Sequence, residues 1–146
     1  MIHQINYETI LPIWQNHLWP ERKSEITGTS AMKYLGDYDS DNMDYSPTFL
    51  AYFYDNKIVG VNSGHKCKDN GYRSRGLYVF PEYRKKGIGI ILLNEITKIA
   101  ENESCDYIWS YPKQTSWKTY QAAGFVLSTP WELSELGHNA YCIKHL

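Results

Sequence analysis

The sequence predicts a domain of the α+β (mixed α/β) class, and three features of the pattern carry that prediction. Residues 48–54 and 57–63 are rich in aromatic and β-branched side chains and are separated by Asp55-Asn56, a pairing that suits a tight hairpin. Residues 88–100 then change period, with apolar residues at 88, 91, 92, 96, 99 and 100 forming one stripe of a helix. A strand returns at 107–111, so an antiparallel meander leads into a strand–helix–strand crossover, which is right-handed with parallel strands.

Taken in order, residues 2–6 read as a short strand. Residues 8–18 place Ile10, Leu11, Trp14 and Leu18 at helical spacing behind Asn6 as a cap. A weaker helical stretch is expected at 30–35, between the turn Thr27-Gly28-Thr29 and Gly36, and residues 36–47 form the longest loop. The run Leu77-Tyr78-Val79-Phe80 is a strand stopped by Pro81, and 71–76 extend it backwards as a third antiparallel strand. Residues 116–123 make a short helix stopped by Gly124, followed by strands at 125–127 and 140–144.

The 146 residues suit a single domain over 1–146, without repeats or a Gly/Ser linker. With 42% hydrophobic and 21% charged residues the composition excludes disordered and low-complexity classes, and 15% aromatic residues supply a large apolar area. Fifteen Lys and Arg against 16 Asp and Glu leave a formal charge of −1, so no global field favours a nucleic acid or an anionic membrane as partner. Cys67, Cys105 and Cys142 lie far apart with no CxxC and no His at metal spacing, which predicts reduced, buried thiols and no metal. Met1-Ile2-His3-Gln4 lacks a basic or apolar leader pattern and no long apolar run occurs, so a cytoplasmic location is expected.

The chemistry concentrates in Val79-Phe80-Pro81-Glu82-Tyr83-Arg84-Lys85-Lys86-Gly87-Ile88-Gly89, a basic, glycine-punctuated turn between strand and helix. Glycines permit positive φ and close approach, successive N–H groups converge, and the helix start adds its dipole, so the turn is a cradle for a phosphate. Lys85 and Lys86 add charge, and Arg84 either reaches a phosphate or braces the loop. A dinucleotide fingerprint would need Gly or Ala where Leu92 stands, and a nucleotide-hydrolase loop would need Gly-Lys followed by Ser or Thr. Neither fits.

Arg84-Lys85-Lys86-Gly87-Ile88-Gly89 does resemble the acetyl-coenzyme A loop of the GNAT superfamily of N-acetyltransferases, whose pattern is Arg or Gln, two residues, Gly, one residue, then Gly or Ala. Tyr120-Gln121-Ala122-Ala123-Gly124-Phe125 is similar to that family's Tyr-x-x-x-Gly-Phe. The resemblance covers residues 49–127 well and the N-terminal third only through element order. It implies a central mixed, mostly antiparallel sheet with splayed central strands flanked by helices, and acetyl-CoA as cosubstrate. It also implies that the amides of Gly87, Ile88 and Gly89 hold the pyrophosphate and that the backbone of Leu77 and Val79 pairs with the pantetheine arm. A β-bulge near Val79 would open the strand from 107–111. Tyr120 occupies the general-acid position, where a phenol can protonate the departing thiolate. Lys113 replaces a cofactor-contacting Asn and would meet a phosphate instead.

No residue clearly takes the role of general base; His65 and His138 are weak candidates beside packed or surface histidines. The expected activity is acetyl transfer to a primary amine by direct attack, the acceptor being a small molecule or peptide. A catalytically silent acyl-CoA-binding module is the alternative, and a homodimer is possible on the aromatic excess. The acidic loop 37–45 is a solvated loop or a surface for a cationic amine, with Asp39, Asp41, Tyr38 and Tyr45 as the contacts.

Overall fold

The computed structural model describes residues 1–30, 32 and 45–146. The helix expected at 30–35 and the acidic loop 37–45 therefore lie outside the described residues, apart from Ser30, Met32 and Tyr45.

The chain opens with β1 (Ile2–Ile5) and α1 (Tyr7–Ile13). Asn6 caps α1, its Oδ1 accepting from the Thr9 amide at 2.9 Å and from the Thr9 hydroxyl at 2.6 Å. The helix continues to Leu18 as a wider turn over Trp14–Leu18, in which the Trp19 amide donates to the Trp14 carbonyl at 2.7 Å. β2 (Thr48–Tyr54) and β3 (Lys57–Lys66) form the expected hairpin, with Asp55 and Asn56 both left-handed at φ 49° and 60°. That is the backbone a two-residue turn needs to follow the strand twist.

Next come β4 (Gly71–Val79), α2 (Ile88–Asn102), β5 (Tyr107–Ser110), α3 (Trp117–Ala122) and β6 (Val126–Leu127). A hairpin of β7 (Glu132–Ser134) and β8 (Gly137–Asn139) precedes β9 (Cys142–His145). Seven strands pair in the order β1-β2-β3-β4-β5-β9-β6, and every pairing is antiparallel except β4 with β5. The β7–β8 hairpin forms its own small sheet and was not expected from the sequence. The last strand also starts at Cys142 rather than at 140.

The helices cover both faces of the sheet. The apolar stripe of α2, with Leu92, Leu93, Ile96 and Ala100 fully buried, packs with Val59, Tyr72, Ile108 and Phe125 on one face. On the other, Ile10 and Trp14 pack with Phe49, Ala51 and Val61. No helix among the described residues is long and apolar enough to cross a membrane.

Two irregularities in β4 position the site. Its parallel pairing with β5 covers only Gly71–Arg73 against Tyr107–Trp109, so the rest of β4 leaves its neighbour and a wedge opens between them. Between the pairs Val61↔Tyr78 and Ser63↔Arg75, Asn62 of β3 faces both Gly76 and Leu77. This bulge sits earlier than the expected position near Val79 because Gly76 is the residue that accepts φ +80°. The Gly76 carbonyl takes the indole N–H of Trp14 at 2.9 Å, and a Cβ on Gly76 would lie 2.4 Å from that ring. The N-terminal helix is thereby pinned to the bulge.

Candidate active site

Along the wedge runs a cleft of about 540 Å³ bounded by Leu77–Val79, the basic turn, the first turn of α2, the segment before α3, and His17 with Leu18. Lys85 and Gly87 take left-handed φ values of 61° and 81° in this turn, which aims successive amides inward. α2 has no side-chain cap, and its first intrahelical bond runs from the Ile91 amide to the Gly87 carbonyl at 3.0 Å. The N–H groups of Ile88, Gly89 and Ile90 are thus left for a ligand. A Cβ built on Gly87 meets nothing within 4 Å, so the space over the cradle is open. Arg84, Lys85, Lys113 and Lys118 line the cleft, and no carboxylate does among the described residues. An open cradle, uncapped amides and one sign of charge fit the polyphosphate and arm of coenzyme A.

The expected site residues fall in different places. Leu77, Val79, Arg84, Lys85, Gly87, Ile88, Gly89 and Lys113 all line the cleft. Arg84 braces the loop, its Nε donating to the Val79 carbonyl at 2.8 Å and its guanidinium lying 5.4 Å from the centre of the Tyr78 ring. Lys86 does not line the cleft; its ammonium lies over the Tyr83 ring at 5.6 Å. The Lys113 ammonium donates to the Leu18 carbonyl at 3.1 Å, and burial lowers its pKa against the pull of Glu21. It ties the segment before α3 to the N-terminal helix.

Tyr120 is 4% exposed, packs its ring edge-on against Phe125, and does not line the cleft. Burial pushes its phenol up to about 12, with its hydrogen bond to Ser110 and the charge of Arg73 opposing. The group therefore stays protonated at neutral pH. Ser110 stands where β4 and β5 part: its hydroxyl donates to the Ser74 carbonyl at 2.8 Å and accepts from Arg73 Nη1 at 3.0 Å. Tyr120, Ser110, Arg73 and Ser74 form one network at the apex of the wedge.

His65 is buried and does not line the cleft. Its Nε2 accepts from the Ser30 amide at 3.0 Å and its Nδ1 lies 3.2 Å from the Lys66 carbonyl, which accepts its proton. Burial pushes its pKa down to about 4, and Arg73 and Arg75 push the same way. His138 is exposed on β8. Tyr45 is engaged as well, its hydroxyl accepting from the Lys66 amide at 2.6 Å.

Sequence reasoning missed two groups. His17 lines the cleft with its ring stacked on Tyr78 and edge-on to Phe80. Beyond the apex, next to the cleft, a second pocket of about 240 Å³ is lined by Arg22, Arg73, Arg75, Tyr111, Glu135 and Asn139 among others. The arginines of β4 alternate with Tyr72 and Ser74 at strand spacing, a pattern that on its own marks a face and not a site.

A family model described as the acetyltransferase (GNAT) family matches residues 11–125. No curated protein matches the chain at a significant level. Among solved structures, the IAA acetyltransferase of Bacillus cereus is similar with a TM-score of 0.72 and 13% identity, over 100% of this chain and 99% of that one. An acetyltransferase of the GNAT family from Staphylococcus aureus gives 0.69 and 17%, over 100% and 98%. A Bacillus subtilis acetyltransferase solved in complex with CoA gives 0.59 and 14%, over 68% and 77%.

Proposed function

The chain belongs to the acetyltransferase (GNAT) family, and we propose that it transfers an acetyl group from acetyl-CoA to a primary amine by direct attack. The observation that carries this reading is the cleft itself: an uncapped, glycine-opened helix start lies at one end of a wedge whose apex holds a buried tyrosine hydroxyl.

The amides of Gly87, Ile88 and Gly89 hold the pyrophosphate, with Lys85 adding charge and Lys86 contributing to the field from over Tyr83. Arg84 fixes the turn through Val79 and Lys113 holds the cleft wall against the N-terminal helix. The backbone of Leu77 and Val79 orients the arm along β4, because the missing β5 neighbour leaves that strand edge unpaired. When bound, the cosubstrate supplies an activated acyl thioester. Tyr120 keeps its proton at neutral pH and delivers it to the departing sulfur, with Ser110 orienting the phenol.

The test is CoA thiol release with acetyl-CoA and a panel of amines, amino acids and peptides. Release with at least one amine, absent without it, supports acetyl transfer. Binding of acetyl-CoA with no release from any of them would favour the silent acyl-CoA-binding module.

A further inference from the structure

We propose that the acceptor is a small primary amine that carries a carboxylate, an amino acid in chemical class, and that Arg73 and Arg75 hold this carboxylate in the pocket beyond the wedge apex. The proposal deepens, and rests on, the acetyl-transfer reading of the cleft.

Arg73 and Arg75 stand two residues apart on β4, so both side chains leave the same face. They are 6% and 4% exposed, and both line the pocket. Charges buried to that degree are normally matched by an opposite charge, since taking them out of water costs far more than neutral hydrogen bonds return. Among the described residues neither has a carboxylate partner. Arg73 Nη1 donates to the Ser74 carbonyl and the Ser110 hydroxyl, Nη2 reaches only the Met32 sulfur at 3.9 Å, and Nε has no partner. Arg75 donates from Nη1 to the Thr27 carbonyl at 2.7 Å. Their flat faces rest on indoles, Arg73 at 4.7 Å from the Trp109 centre and Arg75 at 5.0 Å from that of Trp14.

These contacts fix the planes of the guanidiniums while leaving donors without an anion. Burial lowers the pKa of both, and for Arg75 the charges of Arg73 and Arg22 add to it. Like charges drawn together with no counter-ion are stabilised by an incoming anion, and guanidinium forks match the two oxygens of a carboxylate.

The phosphates of the cosubstrate are not that anion. Their cradle lies past the far end of β4, whose rise of about 3.3 Å per residue puts Val79 about 13 Å along the strand from Arg75. The pocket of about 240 Å³ is smaller than the roughly 300–1,000 Å³ of drug-sized sites and suits a molecule of amino-acid dimensions. Glu135, whose Oε1 accepts from the Lys23 amide at 2.9 Å, is the one acidic side chain lining it among the described residues, so the lining is predominantly cationic.

Calorimetry on the full chain, with N-acetyl amino acids each compared with its uncharged methylamide, reads the carboxylate requirement without turnover. At least one acid should bind 100-fold or more tightly than its methylamide, and Arg75→Gln should remove that preference while the Kd for CoA stays within twofold. Should Arg75→Gln fail to fold, Arg22→Gln at the half-buried rim should cut the preference at least fivefold. Parity of every acid with its methylamide, or a preference that survives the substitution made, overturns the proposal. In CoA release, amino acids should exceed their decarboxylated amines by 100-fold or more in kcat/KM. Equal turnover of both would sink the carboxylate site and leave acetyl transfer standing; carboxylate-dependent binding without any turnover would do the reverse.

Discussion

Gly87→Ala separates the cofactor cradle from the fold more cleanly than any other single change. Gly87 is held at φ +81°, and a Cβ there meets no atom within 4 Å, so the methyl costs only the left-handed backbone penalty of about 1–2 kcal/mol. The same methyl occupies the open space over the cradle. Loss of one hydrogen bond to a charged oxygen, about 1.5–3 kcal/mol, raises the Kd for CoA about 10- to 150-fold. Gly89→Ala is the contrast, because its Cβ would lie 2.9 Å from Thr119 Cγ2 and forces that side chain to shift. Urea denaturation followed by tryptophan fluorescence gives the stability of each variant, and calorimetry gives the CoA affinity. Wild-type affinity in Gly87→Ala would refute the phosphate assignment, and a stability loss above about 4 kcal/mol would refute the open space.

Tyr120→Phe is expected to lower kcat on the order of 100-fold or more with little change in CoA affinity, since only the proton donor is removed; an unchanged kcat, with chemistry rate-limiting, removes Tyr120 from the mechanism. His65 has a pKa near 4 in the fold against 6.5 ordinarily, so the unfolded chain binds a proton that the folded chain refuses. Its contribution is complete above pH 6.5 and falls by about 3 kcal/mol as the pH drops to 4, while Glu103, whose pKa is raised, acts in the opposite sense. Stability curves of wild type and His65→Gln that run parallel between pH 6.5 and 4 would contradict this. Gly76→Ala combines a left-handed backbone with a Cβ 2.4 Å from Trp14 and should cost about 2–5 kcal/mol by thermal or urea unfolding; a loss under 1 kcal/mol would show that the helix is not pinned there.

The elements that were legible in the sequence are those specified by neighbouring residues. Asp55-Asn56 tolerates the left-handed backbone of its turn, and the stripe on α2 needs no distant partner to be seen. The basic glycine turn was readable for the same reason. The arginine pocket was not, because the burial of Arg73 and Arg75 depends on Trp109, Trp14 and Trp19, which arrive from other elements. The bulge was misplaced by a few residues, since Gly76 lies inside a run that pattern alone reads as continuous strand. The β7–β8 hairpin has no apolar alternation to announce it, and its Leu133 is 79% exposed. The wider turn at Trp14–Leu18 leaves no mark on residue spacing.

The bulge at Gly76 also changes the phase of the strand. Side chains alternate between faces, so an uninterrupted β4 would send positions 73, 75, 77 and 79 to the same side. With one extra residue inserted, Arg75 shares the Trp14 side with Tyr78, while Leu77 and Val79 join Tyr72 against α2. A single strand thus turns the side chains of its first half, Arg73 and Arg75, to the Trp14 side and those of Leu77 and Val79 to the α2 side, with a glycine as the crossing point. If the proposed carboxylate site holds, substitutions before Gly76 should alter acceptor preference without changing the Kd for CoA. Smoothing the bulge into regular strand with every residue kept would instead put Arg73, Arg75 and Val79 on one face, so it is the bulge that holds the arginines out of the apolar layer under α2.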